Sequence, residues 1–326
     1  MEKIILDLYG ADCGAQTLAR GAAEALRGDK TLRLVLVGDE RLVRAELDDC
    51  DPARWECLHT TRYVTNHDKP TEILHGKDDT SLVMALRRLK QDPECGGLLC
   101  AGNTGALLVG SIFLLGLQPG LKQPALATAL NLAGEKYVCL VDCGATLECR
   151  PKELARFALM GDAFMRCMGG LEAPRVGLLS VGREPGKGTD TTREAYARLS
   201  ELPIRFVGNI EGGDVCADAA DVVVCDGFTG NVLLKNIEAT GKLAASLLSR
   251  WGADAVPEGL RQRLYHYFDF NSRGGAVFLG TAKPVIKLHG AAGAQTVVSA
   301  LAQMQRLLAA DFSQRLAEAC TGFDLH

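Results

Sequence analysis

Short apolar runs alternate with helical patterns along most of the chain. KIILDLYG, LRLVLVGD, GGLLCAG, KYVCLVDCG, RVGLLSVG, PIRFVGN and DVVVCDG are apolar at successive rather than alternate positions. That pattern predicts strands buried on both faces, as in a parallel sheet covered by helices. Between them, helices are predicted over Thr17–Arg27, Ser81–Gln91, Asn103–Leu117, Pro151–Met168, Thr191–Leu199 and Gly230–Arg250, with Ala292–Ala310 closing the chain. Pro151 sits where a helix tolerates a missing N–H, at its first position. Repeated β–α units of this kind imply a doubly wound α/β fold. The stretch 251–284, WGADAVPEGLRQRLYHYFDFNSRGGAVFLGTAKP, breaks the alternation with aromatics, a Pro-Glu helix start and a Gly-Gly pair. It reads as a helical projection from a single α/β domain spanning 1–326.

Composition narrows the classes of function. The 326 residues are 47% hydrophobic and 23% charged, with net charge −4. That is enough apolar material for a large core, and the absence of any Lys/Arg block argues against a general nucleic-acid binder. The opening MEKIILDLYG enters a strand pattern at once, without the basic and apolar regions of a signal peptide. The most apolar segment, Ala101–Leu117, is too interrupted by glycine and polar residues to span a membrane. Twelve cysteines are present without a C-x-x-C pair, and several lie inside apolar runs. They read as reduced, buried thiols of a cytoplasmic protein.

Many of the predicted strands end in Gly, Asp or Asn. Ligands of open parallel sheets bind where such strand ends cluster, so AGNTGA, VDCGAT, VGREPGKG, VGNIEGGD and CDGFTGN mark the expected cleft. The third of these, VGLLSVGREPGKGTD, imitates a nucleotide-binding P-loop, but the count fails. Only Arg183, Glu184 and Pro185 separate Gly182 from Gly186, and Gly188 occupies the place of the magnesium-binding hydroxyl. What remains is a strand-to-helix turn with glycine amides, a helix start and Lys187, which together make an anion site.

AGNTGALL (101–108), PALA (124–127), GNIEGGD (208–214), VVVCDGFTGNVLLK (222–235) and GGAVFLG…VIKLHG (274–290) resemble the PlsX family, the phosphate acyltransferases of bacterial phospholipid synthesis. The likeness runs in order from Asp7 to about Leu301. It implies a three-layer α/β/α sandwich with a mostly parallel sheet, similar to the isocitrate/isopropylmalate dehydrogenase group, usually as a homodimer. The implied reaction moves a fatty acyl group from acyl carrier protein to inorganic phosphate, with no metal or redox cofactor. On this reading Lys187, Asn209, Asp226 and His289 are the candidate catalytic groups. Asp12, Asn103, Thr104, Gly105, Gly182, Gly186, Gly188, Gly227 and Asn231 are the candidate phosphate- and substrate-binding positions. Arg261 and Arg263, interleaved with aromatics in RQRLYHYFDF, form the candidate surface for the acidic carrier protein or an anionic membrane. An apolar set over Leu243–Phe278 is expected at or beside a dimer contact.

The chain departs from the family pattern at several loops. Asp7-Leu8-Tyr9-Gly10-Ala11-Asp12 stands for Asp-Ala-Met-Gly-Gly-Asp, and Gly144-Ala145-Thr146 for Gly-Ala-Asn. Gly182-Arg183-Glu184 replaces Gly-Glu-Glu, Lys187-Gly188-Thr189 replaces Lys-Gly-Asn, and His289-Gly290-Ala291-Ala292 replaces His-Gly-Ser-Ser. Two other functions therefore stand beside the first: a phosphate acetyltransferase-like enzyme using short-chain acyl-CoA, and a non-catalytic paralogue that binds acyl carrier protein.

Overall fold

Each of the seven apolar runs forms a strand. The computed structural model describes residues 2–131, 136–251, 256–268 and 274–321, the side chains at 131, 265 and 266 apart. The chain begins β1 (Lys3–Asp7), α1 (Ala15–Gly28), β2 (Leu34–Gly38), α2 (Glu40–Glu46), β3 (Trp55–His59), α3 (Ser81–Gln91), β4 (Cys95–Cys100) and α4 (Thr104–Gly110). It continues with β5 (Ala125–Asn131), β6 (Tyr137–Val141), α5 (Pro151–Gly169), β7 (Arg175–Leu179), α6 (Asp190–Ser200), β8 (Arg205–Ile210) and β9 (Val222–Val224). The remainder is α7 (Gly227–Trp251), α8 (Glu258–Tyr267), β10 (Ala276–Leu279), β11 (Val285–Lys287), α9 (Ala294–Ala309) and α10 (Phe312–Thr321).

Packing groups the residues into two compact units: Met1–Pro124 with Asn271–Glu318, and Ala125–Phe270 with Ala319–His326. In the first unit the strands lie in the order β3-β2-β1-β4-β11-β10, parallel except for the β10–β11 pair. Every residue of β2 and β4 is buried, which requires helices on both faces. α1 lies along α9 because Gly21 leaves room; a Cβ there would stand 2.5 Å from the Ala294 carbonyl oxygen. Its buried face, Leu18, Ala22, Ala25 and Leu26, follows the helical repeat.

In the second unit the order is β5-β6-β9-β7-β8, with only β5–β6 antiparallel. α5 is buried along most of its length. It settles onto β6 and β9 through Gly161, where a Cβ would meet Val222 at 2.5 Å. A buried Phe of the kind found here, Phe157 or Phe164, contributes roughly 1.5–3 kcal/mol by leaving water.

The stretch 251–284 is helical only in part. α8 lies within it, but Ala276–Leu279 is a strand of the first unit, hydrogen-bonded to β11. The helix beginning at Asn103 is also shorter than its pattern predicts. α4 ends at Gly110, a widened π turn covers Ser111–Leu115, and Gly116 at φ +104° ends it.

Candidate functional site

In the second unit the carboxyl ends of β6, β7, β8 and β9 carry four of the five glycine loops. Asp142, just past β6, is the fully buried centre of one of them. Its Oδ1 accepts from the backbone N–H of Leu126 (2.9 Å), Gly144 (3.0 Å) and Ala145 (3.0 Å), and its Oδ2 from Thr146 (2.6 Å). Burial pushes this carboxyl above its ordinary range while the four amides pull it back. The folded loop then meets the start of α7. Gly227 N–H donates to the Thr146 carbonyl at 2.8 Å, and a Cβ on Gly230 would lie 1.9 Å from the Asp142 carbonyl oxygen. Gly227 and Gly230 are thus demanded by close approach. Asn231 is exposed, with its Nδ2 3.3 Å from where a Gly144 Cβ would stand.

Asp226 caps α7: its Oδ1 accepts from Thr229 N–H and its Oδ2 from the Thr229 hydroxyl, both at 2.8 Å. The helix start and the Thr229 hydroxyl hold this carboxylate in place. Across from it, the Gly182–Thr189 loop leads into α6. Thr189 caps that helix, accepting from Thr192 N–H at 3.2 Å. Gly188 has φ +97°, and a Cβ there would stand 2.2 Å from Thr192 Oγ1 and 2.9 Å from Ser180 Oγ. Gly188, Thr189, Thr192, Asp226 and Thr229 line one cavity of ≈ 520 Å³. The cavity also reaches Ser180, whose buried Oγ has no hydrogen-bond partner.

Lys187 is exposed beside this cavity, its aliphatic chain folded over buried Gly182. Its N–H donates to the Glu184 carbonyl at 3.0 Å, and the same oxygen accepts from Asn209 Nδ2 at 2.8 Å. Buried Asn209 therefore holds the loop, while its own Oδ1 is left without a partner. Gly186 has open space around it. Arg183, one of the departures from the family pattern, makes a two-pronged ion pair with Asp214 of the GNIEGGD loop. This pairing holds the Asp214 carboxyl below its ordinary range, with help from the Glu211 N–H. A second cation, Arg193, donates to the Gly188 carbonyl at 2.8 Å.

The first unit holds the other predicted site residues. Asn103 caps α4, its Oδ1 accepting from Ala106 N–H at 3.0 Å while its Nδ2 donates to the Thr65 carbonyl at 3.4 Å. Thr104 is exposed, and Gly105 allows Pro70 to sit where a Cβ would be only 2.7 Å from its Cγ. Asp12 N–H donates to the Gly290 carbonyl at 2.7 Å, which places its carboxylate beside that glycine. His289 Nδ1 accepts from Ala291 N–H at 3.1 Å, an arrangement that orders its own turn. Lys287, which no sequence pattern singled out, is largely buried and donates to the carbonyls of Ala101 (2.9 Å) and Leu288. It thereby ties the AGNTGA loop to the LHG loop. Desolvation lowers its pKa, opposed by Cys100 and Asp12.

On the projection, Arg261 is ion-paired with Glu258 and Arg263 is exposed. Asp269 and Phe270 of the same segment lie outside the described residues. Leu243, Leu248 and Trp251 are exposed, whereas Leu247, Leu264 and Phe268 are half-buried. Phe268 fills the space beside Gly241. Among the described residues no helix is long and apolar enough to cross a membrane. All twelve cysteines are free thiols.

The architecture has solved counterparts. A phosphotransacetylase from Streptococcus pyogenes superposes with a TM-score of 0.62 at 16% identity, covering 94% of each chain. A branched-chain phosphotransacylase from Enterococcus faecalis gives 0.55 at 16% identity, covering 94% of this chain and all of that one. At such identities the likeness establishes the fold. In sequence, a phosphate acyltransferase of Clostridioides difficile is 35% identical over 312 residues, covering 92% of this chain and 91% of that protein. Another, from Halalkalibacterium halodurans, is 36% identical over 314 residues, 94% and 93% of the two chains. The family model described as "Fatty acid synthesis protein" matches residues 2–315. Spanning nearly the whole chain, these matches establish that the protein belongs to that family, the PlsX family of the motifs read above.

Proposed function

We propose that this protein is a phosphate acyltransferase that moves a fatty acyl group from the thioester of acyl carrier protein to inorganic phosphate. A phosphate oxygen adds to the thioester carbonyl, the C–S bond breaks, and the products are acyl phosphate and the carrier thiolate, which takes up a proton. The observation that carries this reading is the identity of about a third, over nearly the full chain, with proteins named phosphate acyltransferase. The glycine loop supports it. Phosphate is largely a dianion near neutral pH and needs positioning more than a strong base. Free amides at the start of α6, the Thr189 and Thr192 hydroxyls and the unpartnered Ser180 hydroxyl supply donors to one cavity, with the positive charge of Lys187 on the adjoining loop. Such preorganised donors also stabilise the oxyanion formed in the attack.

Asp226 and Asn209 act here as positioning residues, through the α7 cap and the Glu184 carbonyl. A homodimer, docking of the acidic carrier on the α8 surface around Arg261 and Arg263, and a cytoplasmic setting suited to twelve free thiols complete the proposal.

Incubation with phosphate and either palmitoyl-carrier protein or acetyl-CoA, with acyl phosphate trapped as hydroxamate, tests the reading. Product from the carrier substrate is expected. Product from acetyl-CoA alone indicates the short-chain reaction suggested by the phosphotransacetylase fold, and no product from either indicates a binding protein. Lys187→Ala is expected to lower kcat/KM by at least about tenfold, the scale of a lost electrostatic contact; an unchanged rate removes Lys187 from the site.

A further inference from the structure

The cavity beside Gly188 is larger than phosphate requires. At ≈ 520 Å³ it falls in the range of small-molecule sites, roughly 300–1,000 Å³, and a lone phosphate leaves most of it unfilled. Its lining changes character along α7. At the helix start, Asp226 and Thr229 meet Thr189 and Thr192, whereas further along the same helix the lining is Val232 and Leu233, over Leu154. From Thr229 to Asn236 the cavity follows α7 for about two turns, roughly 10 Å.

The apolar side chains around it are unusually open to water. Val181 is 82% exposed, and Phe228 and Val232, one helical turn apart, are 65% and 53% exposed. Leu154 beneath them is 2% exposed, so the floor is fixed while the rim is uncovered. A second opening that shares Leu154, Thr189, Thr192, Asp226 and Thr229 reaches Phe228 and Leu147, itself 62% exposed.

Resting on the acyltransferase reading above, we infer that this groove is the seat of the substrate's acyl chain. The carbonyl lies at the Gly188–Thr189 end, and the methylenes run along α7 over Val232 and Leu233. The occupant follows from continuity. An apolar trough that opens directly from a cluster of anion-binding donors fits a ligand with a phosphoryl or thioester head and a hydrocarbon tail. Val232 and Phe228 are then specificity-determining residues, because they border the length of tail that can be covered. Each methylene buried there strengthens binding by about fourfold, from roughly 0.8 kcal/mol per CH₂.

The test is Val232→Trp, a surface change that fills the groove and leaves the core intact. Palmitoyl- and hexanoyl-carrier protein are compared as donors, and the matching palmitoyl and hexanoyl phosphonates are titrated in a direct binding assay. The variant is expected to lose about tenfold or more in kcat/KM and in affinity for the palmitoyl compounds, the equivalent of about two uncovered methylenes, and to lose less for the hexanoyl compounds, whose shorter tail passes Val232 with fewer methylenes. Phe228→Ala should shift the preference in the same sense but less. Equal changes for both chain lengths, or none, in an active enzyme overturn the groove assignment. If neither donor is turned over but the palmitoyl phosphonate still binds in a Val232-dependent way, the acyltransferase reading fails and the groove stands. If the wild-type protein binds both phosphonates equally, the groove fails whatever the activity.

Discussion

Asp7 and Asp142 hold corresponding places in the two units, each a buried carboxylate where a strand gives way to its loop, yet they are treated differently. Asp142 collects four backbone N–H groups and so folds the loop that follows it. Asp7 receives one, from Tyr9 at 3.1 Å, and a thiol, Cys100 Sγ at 3.5 Å, with the buried Ser81 hydroxyl also drawing its pKa down. With so little compensation, burial raises the Asp7 carboxyl from 3.8 to about 6. Burial alone therefore does not decide whether a carboxylate is scaffold or titratable group; the number of amides aimed at it does.

The largest effect should come from removing the scaffold. Asp142→Ala leaves four N–H groups to find other partners inside the protein, and at about 1–3 kcal/mol for each that stays unpaired the loss should exceed about 4 kcal/mol in urea unfolding. Asp142→Asn should cost less, since an amide oxygen can keep the three Oδ1 bonds but its NH₂ faces the Thr146 N–H. A loss below about 1 kcal/mol for the alanine variant would erase the contrast.

The opposite sign is expected at Asp7. The folded protein holds this proton to a higher pH than the unfolded chain does, so proton loss favours unfolding. The stabilisation is complete below about pH 4 and is lost as pH rises through about 6, a change on the order of 3 kcal/mol from the shift of 3.8 to about 6. Asp7→Asn should flatten that slope and be the more stable protein at pH 8, as read by urea midpoints across pH 4–8. The smallest effect sharpens the point. Cys100→Ser offers a stronger donor than the thiol and should move the midpoint of the wild-type slope to lower pH, by about 0.7 unit at most, the equivalent of about 1 kcal/mol.

The buried strands were legible because residues covered on both faces leave unbroken apolar runs. Two of the strands that were missed, β3 and β10, lack that signal. β3 is half-exposed along most of WECLH, and β10 lies in a segment whose aromatics and Gly-Gly pair resemble an irregular excursion. α2 buries only Val43, too little for a periodic stripe. At the site, the glycine loops and the cap at Asp226 are local and could be read from neighbouring residues. The Arg183–Asp214 pair and the Lys287–Ala101 tie join residues far apart in the chain, so no short pattern announces them; of the Asp142 amides only that of Leu126 lies outside the loop itself. Ser180 gave no signal either: a lone serine after an apolar run looks like any strand end until its hydroxyl is found without a partner.

The first unit is written in two pieces. Its strand β11 pairs with β4 through Val285↔Leu98 and Ile286↔Leu99, and α1 rests on Ala294 and Val297 of α9. The second unit is drawn almost wholly from the interval between those pieces. During synthesis the ribosome therefore delivers nearly all of the second unit before the first can be completed. Until β11 emerges, β4 waits with an unpaired edge, and the Gly21 face of α1 waits without its partner helix. Such non-local pairing is slow to form and exposes sticky surface meanwhile. A nascent chain stalled before residue 271 should thus present a nearly finished second unit and an open, chaperone-dependent first.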